Sequence, residues 1–416
     1  MLVIAAPGQG AQAPGFLSPW LDLPGFADRL AAWSELAGCD LIRYGTTAGQ
    51  DEITDTAVAQ PLLVAAALAA AEALASAAGP DAHDGLAVSG MPSPDLTRIG
   101  READIAAGHS VGELAAGAIA GVISADDTMR LVGVRGRAMA KAAAAEATGM
   151  TAILGGAQDE VLAALDAHGL TPANVNGAGQ IVAAGTLAQL EALAADPPAG
   201  ARLRPLPVAG AFHTAHMAPA VDALREAAAG IVVHDPATVL LSNADGAAVI
   251  SGREWLERII TQVSAPVRWD ECMRTMSERG ASALIELPPG GTLTGLARRA
   301  LPGLALTALK TPDNLDAARS LLAEHGIPES PQPGHVPEWR LLVSPQAGTF
   351  RASGAAGEAA PGCHVRPGAT LGHVEVKSAQ LPVNLAFSAT VLEWLVEDGD
   401  PVTPGQPLVR LQPETA

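Results

Sequence analysis

Gly108-His109-Ser110-Val111-Gly112-Glu113 sets a serine between two glycines directly after the apolar run 103–107. That run reads as a strand. The stretch 111–123, interrupted only by Gly117 and Gly121, reads as a helix, so Ser110 falls on a strand-to-helix corner. A G-x-S-x-G corner of this kind is a nucleophile elbow: the glycines make room for a strained turn, and the helix start offers N–H groups that can hold an oxyanion. A strand feeding a helix in this way predicts an α/β fold with a hydrolase-like parallel sheet, whose ligands bind at the carboxyl edge.

Upstream, residues 3–6 read as another strand, followed by the glycine-spaced turn Gly8-Gln9-Gly10-Ala11-Gln12, which would lie at the same edge. Residues 14–78 are mainly helical in pattern, with Gln60-Pro61 opening the longest helix. Residues 81–100 read as a Pro/Gly/Ser-rich loop. Downstream, Ser124 caps a helix over 126–145 that carries Arg135-Gly136-Arg137. The rhythm then changes to strand 151–154, helix 158–168, strands 172–176 and 180–184, helix 186–196 and strand 202–208. This βαββαβ order is the ferredoxin-like split motif. It predicts a small subdomain at 148–208 inserted into a large one formed by 1–147 and 209–325. Strand and helix alternate again through 238–241, 254–260 and 283–287. A Pro-rich linker, 326–340, leads to an all-β domain over 341–413.

Composition narrows the function. The chain of 416 residues has 25 basic and 44 acidic side chains and a net charge of −19. Such a balance, with no basic cluster beyond Arg298-Arg299, argues against nucleic acid or an anionic membrane as partner. The cysteines, Cys39, Cys272 and Cys363, are far apart and lack metal-ligand spacing, which suggests neither a disulfide framework nor a metal site and fits a reducing, cytoplasmic setting. The apolar start runs into Pro7-Gly8 without a basic segment and is read as a strand rather than a signal peptide. The apolar stretch 62–71 falls short of the roughly 20 residues a spanning helix needs.

A serine hydroxyl is a weak nucleophile and needs a base in hydrogen-bond reach. His213, in Gly210-Ala211-Phe212-His213, is the candidate; His109 is expected to shape the loop, and His216 to be a surface or supporting histidine. No aspartate has a spacing that marks it as a third member, so a Ser–His dyad oriented by a backbone carbonyl is expected.

Taken together, Gly8-Gln9-Gly10-Ala11-Gln12, Gly108 to Glu113, Val134-Arg135-Gly136-Arg137-Ala138-Met139, Asn174-Val175-Asn176 with Gly179-Gln180, Gly210 to His213, and Gln262 with Pro266-Val267-Arg268-Trp269 resemble, in order, the motifs of malonyl-CoA:acyl-carrier-protein transacylases and polyketide synthase acyltransferase domains. The resemblance spans about residues 1–315. It implies that Ser110 takes an acyl group from coenzyme A with His213 as base, that the Gln9 and Val111 amides form the oxyanion hole, and that Arg135 holds the acyl carboxylate. It further implies that Gln262, Phe212, Asn176 and His109 line the substrate site, with Phe212 favouring malonyl over methylmalonyl. Malonyl-CoA and an acyl carrier protein are the implied partners, with no metal or cofactor required. An acidic carrier would need a local positive rim, for which Arg298 and Arg299 are candidates. The elbow also serves serine thioesterases, which is the alternative enzyme reading.

The tail resembles a different family, the biotinyl and lipoyl carrier domains, through Gly368-Ala369-Thr370-Leu371, Glu397-Asp398-Gly399-Asp400-Pro401-Val402 and Gly405-Gln406-Pro407-Leu408. The tip, Val374-Glu375-Val376-Lys377-Ser378-Ala379, departs from the usual Glu-Ala-Met-Lys-Met, so biotin or lipoate on Lys377 is not expected. A binding module, or the carrier or scaffold subunit of an acyl-CoA carboxylase or malonate decarboxylase complex, is the reading left for this domain.

Overall fold

The computed structural model describes residues 1–75, 94–208, 210–326, 340–353, 362–376, 379–385 and 387–413. The chain divides into two compact units, Met1–Pro328 and Glu329–Ala416.

The first unit is built on a six-stranded sheet in the order Ala305–Ala308, Ala283–Glu286, Leu2–Ala6, Ile105–Gly108, Val239–Leu241, Ala248–Val249. All pairings are parallel except the last. Leu2–Ala6 and Ile105–Gly108 are buried at every position, as expected of central parallel strands covered on both faces. Gly8-Gln9, Ser110 and Ser242-Asn243 each directly follow the carboxyl end of one of three adjacent strands, so topology alone gathers them at one edge.

Two corrections concern helices. The long helix starts at Thr56, not at Gln60, so Pro61 stands inside it; it runs to Ala75. It is therefore long and apolar enough to cross a membrane, and 83 % of its apolar window is buried within the unit, which makes it the core helix. Burial, not length, is what decides against a span. Part of the expected 81–100 loop is the helix Pro94–Glu102; residues 81–93 lie outside the described residues.

The helix Ala125–Ala143 has the expected Ser124 cap, whose side chain accepts from the Asp127 N–H at 3.0 Å. Two glycines let this helix approach its neighbours. A Cβ on Gly133 would meet the Ala37 carbonyl oxygen at 2.3 Å, and one on Gly136 would meet the Thr56 carbonyl oxygen at 2.9 Å. Close contact at Gly136 brings the neighbouring Arg135 against the long helix and its Gln60.

Residues 148–205 form strand Thr148–Gly155, helix Gln158–Ala167, strands Thr171–Gly177 and Gln180–Thr186, helix Leu187–Ala195 and strand Ala201–Pro205. The sheet order is Ala201–Pro205, Thr148–Gly155, Gln180–Thr186, Thr171–Gly177, and then a fifth strand, Val267–Arg268, parallel to Thr171–Gly177. That fifth strand comes from the part of the chain assigned by sequence to the large subdomain. It ties this sheet to the segment that follows Val239–Leu241.

The second unit has two four-stranded antiparallel sheets and, among the described residues, no helix. Its two apolar clusters centre on Val391 with Leu411 and on Phe350 with Val374. Val376 pairs with Ala379; Lys377 and Ser378, like the linker residues 327–339, lie outside the described residues.

Candidate active site

Gly108 and Gly112 are dictated by space. A Cβ on Gly108 would sit 2.1 Å from the Gly112 backbone, and one on Gly112 would sit 2.2 Å from the Ala6 carbonyl oxygen. Between them Ser110 holds φ 53°, a left-handed conformation that L-residues avoid at a cost of about 1–2 kcal/mol. His213, at φ 60°, is strained in the same way. Strain at both positions is sustained by the surrounding bonds, a pattern typical of functional sites.

The two side chains meet: Ser110 Oγ and His213 Nε2 are 2.7 Å apart. His213 Nδ1 lies 2.8 Å from the Gln262 carbonyl oxygen. A carbonyl only accepts, so Nδ1 carries the proton and Nε2 presents its lone pair to the serine O–H. The His213 ring is buried. Burial first, and the Arg135 charge second, push its pKa from the usual 6.5 down to about 3, so the ring is neutral and ready to accept a proton at pH 7. The expected backbone-oriented dyad is therefore present in geometry.

Arg135 is 1 % exposed. Its Nη1 donates to Gln60 Oε1 at 2.7 Å, and its Nη2 donates to Gln262 Oε1 at 2.9 Å and to Ser110 Oγ at 3.5 Å. Its Nε is buried with no partner among the described residues. Burial lowers its pKa to about 10, which leaves the guanidinium charged. Here is a buried cation beside a hydroxyl with donor capacity to spare, a place where a carboxylate gains most from charge-assisted bonds.

Among the described residues no hydrogen bond uses the backbone N–H of Gln9 or Val111. The Gln9 side chain instead donates, at 3.3 Å each, to the Thr54 carbonyl and Thr56 Oγ1, anchoring its loop. His109 Nε2 pairs with Asn176 Oδ1 at 2.8 Å, and its ring lies edge-on to Trp269 at 5.7 Å. That pair bridges the elbow and the smaller sheet. Phe212, next to His213 in sequence, is buried in the main hydrophobic cluster. His216 stands apart, its Nδ1 2.8 Å from exposed Glu146.

Arg298 and Arg299 close the helix Thr292–Ala300. This helix begins at the carboxyl edge, where buried Glu286 accepts from the N–H groups of Gly291, Leu293 and Thr294 at 2.8 Å each, and runs back along the sheet.

Three residues escaped the sequence reading. Gln60 was read as a helix start, Glu113 as part of a motif, and Asn243 not at all. The signal for Asn243 was a polar pair, Ser242-Asn243, directly after a strand expected in the parallel sheet.

The family model described as "Acyl transferase domain" matches residues 93–311. The malonyl CoA-acyl carrier protein transacylase of Mycobacterium tuberculosis is 52 % identical over 321 residues, 77 % of this chain and all of the relative. The crystal structure of MCAT from Mycobacterium tuberculosis superposes with a TM-score of 0.70, covering 77 % of this chain and 99 % of that one. A structure of a holo type II PKS acyl-carrier protein with its malonyl-transacylase matches at 28 % identity and a TM-score of 0.67, with 77 % and 99 % covered. On this likeness, and with a Ser–His pair and a buried arginine at the carboxyl edge of its sheet, the chain belongs to the malonyl CoA-acyl carrier protein transacylase family.

Proposed function

We propose that the chain moves a malonyl group from malonyl-CoA to the phosphopantetheine thiol of an acyl carrier protein, in fatty acid or polyketide synthesis, through a malonyl ester on Ser110. The observation that carries the assignment of residues is the 2.7 Å approach of Ser110 Oγ to His213 Nε2, with Arg135 at 3.5 Å from the same oxygen.

Ser110 Oγ attacks the thioester carbonyl carbon while its proton passes to His213 Nε2. The carbonyl oxygen becomes an oxyanion, to which the Gln9 and Val111 N–H groups donate; such donors matter because they meet charge that exists only in the adduct. The C–S bond then breaks, and the proton on Nε2 goes to the departing sulfur of coenzyme A. The carrier thiol reverses the sequence: its proton goes to Nε2, sulfur attacks the ester carbonyl, and Oγ leaves with the proton. The Gln262 carbonyl keeps the ring in the productive tautomer throughout. Arg135 binds the malonyl carboxylate. That carboxylate also offsets the cationic field that weakens His213 as a base, so a dicarboxylic thioester is favoured over acetyl-CoA in reaction as well as in binding. Phe212, His109 and Asn176 complete the acyl site, with Phe212 excluding an α-methyl.

The thioesterase reading differs only in the acceptor. A pre-formed malonyl-enzyme given carrier thiol or water separates them: transfer to thiol at least about 100-fold faster than hydrolysis is expected from the family chemistry. Equal rates would favour a hydrolase.

The subdomain division follows from the same reading: 148–208 is a ferredoxin-like insert in a hydrolase-like large subdomain. The second unit, residues 341–413, is proposed as a biotinyl/lipoyl-like sandwich serving as a binding module rather than a carrier, since its sheets suit that fold and its tip motif is altered. A soluble, cytoplasmic protein fits the burial of the long apolar helix Thr56–Ala75. Intact mass of the chain checks the carrier question: no biotinyl or lipoyl increment is expected.

A further inference from the structure

Below the Ser110 turn lies a side chain that touches both of its arms. Asn243 Oδ1 accepts from the Ser110 N–H at 2.7 Å, and Asn243 Nδ2 donates to the Gly108 carbonyl at 2.7 Å. An amide is the one small side chain that offers an acceptor and a donor side by side, as a backbone with Ser110 at φ 53° requires. The Asn243 N–H donates to Glu113 Oε2 at 3.1 Å, and the same oxygen accepts from Gln262 Nε2 at 2.6 Å. Gln262 in turn receives Arg135 on its side chain and His213 on its carbonyl. Asn243 is 0 % exposed and Glu113 1 % exposed, so each of these bonds is dry and each loss leaves a buried polar group unpaired.

We infer that Asn243 is a positioning residue for Ser110, and that Glu113 and Gln262 extend the same clamp to His213 and Arg135, so that the three reacting groups keep one mutual geometry. The inference rests on Ser110 being the nucleophile, and it explains how a turn disfavoured in L-residues stays closed through each catalytic cycle. It also explains why the elbow strand is followed by a glutamate that points inward: Glu113 is the junction where the clamp turns from the elbow to Gln262.

The test uses the full-length enzyme and two readouts of Ser110. One is acyl transfer from malonyl-CoA. The other is covalent labelling by a small fluorophosphonate, in which Oγ attacks phosphorus, fluoride leaves and His213 takes the proton, with no carboxylate for Arg135. Asn243→Ala and Asn243→Asp should lower kcat and the labelling rate together by about 30- to 100-fold, the scale of a small misplacement of a reacting atom, with KM for malonyl-CoA within about 3-fold. The aspartate variant keeps the acceptor for Ser110 and faces the Gly108 carbonyl with a second oxygen, so it reports the clamp even where the alanine variant does not fold. Glu113→Gln, which keeps an acceptor oxygen, should stay within about 5-fold of wild type, whereas Glu113→Ala should fall with the Asn243 variants. Folded Asn243 variants that label and turn over within 3-fold of wild type would overturn the inference, as would a loss in Glu113→Gln equal to that of Glu113→Ala. Labelling that persists in Ser110→Ala would instead overturn the nucleophile assignment itself.

Discussion

Besides His213, two residues other than glycine stand in left-handed backbone among the described residues, Ser110 at φ 53° and Ala178 at φ 49°, and they are held in different ways. Ser110 is locked by glycines that cannot carry a Cβ, by the Asn243 amide and by His213. Ala178 sits exposed at the tip of a hairpin, between Gly177 and Gly179, which are themselves at positive φ, and its side chain carries no polar atom to bond. The same torsional cost thus serves chemistry at one site and only reverses the chain at the other. The lesson is that strain becomes functional where a dry hydrogen-bond network fixes what the strain exposes.

The comparison breaks most visibly at Ser110. Ser110→Ala should lower kcat by about 10⁴-fold or more in a malonyl-transfer assay, as loss of a nucleophile does elsewhere. A smaller loss would mean that the strained serine is not the acyl acceptor.

Next is the cation that faces it. Arg135→Ala should lower kcat/KM for malonyl-CoA by about 10²–10³-fold while changing that for acetyl-CoA by less than about 10-fold, since only the former has a carboxylate to lose. Arg135→Lys should rescue little, because one ammonium cannot reach Gln60, Gln262 and a carboxylate with planar, paired donors. Parallel losses for both substrates would assign Arg135 to structure alone.

Two buried titrations sharpen the picture of the network. Folded His213 refuses a proton until about pH 3, while the unfolded residue takes one near 6.5, so this term removes stability as pH falls below 6.5. Burial raises folded Glu113 to about 7 against 4.5, so its term is fully present below pH 4.5 and is lost as pH rises through 7. Between about pH 4.5 and 6.5 the two slopes oppose. Denaturant titrations should show wild-type stability nearly flat there on their account, and Glu113→Gln falling by up to about 1.4 kcal/mol per pH unit as acid is added. A wild-type slope unchanged by the substitution would contradict this balance.

The smallest effect belongs to the other turn. Ala178→Gly relieves left-handed strain but frees the unfolded chain, so stability should move by less than about 1 kcal/mol in thermal unfolding and kcat should not change. A tenfold loss of activity would show that the hairpin tip, through neighbouring Asn176 and its bond to His109, carries more than chain reversal.

Much of this was legible in the sequence where a residue type answers a local demand. Glycines around Ser110, the Ser124 cap and the alternation of strand and helix each follow from short-range chemistry. So did the βαββαβ succession over residues 148–205, where each element carries its own local pattern. What could not be read was long-range pairing. Val267–Arg268 joins the small sheet from some 80 residues beyond that subdomain's last two-strand hairpin, and nothing local marks a two-residue strand. Asn243 and Glu113 meet across 130 positions of chain, and Gln60 meets Arg135 across 75. Their types suit many roles until the fold brings them together. The misread helix start at Gln60 has a simpler cause: proline was taken as a first-turn marker, whereas here the helix has already begun at Thr56.

The central claim is tested most directly by exposing the enzyme to malonyl-CoA without acceptor and locating the adduct by peptide mass. A malonyl increment on the Ser110 peptide, absent in Ser110→Ala and discharged by carrier thiol, with an acetyl increment scarce after acetyl-CoA, is the expected result. An adduct elsewhere, or one formed equally well in Ser110→Ala, would contradict it.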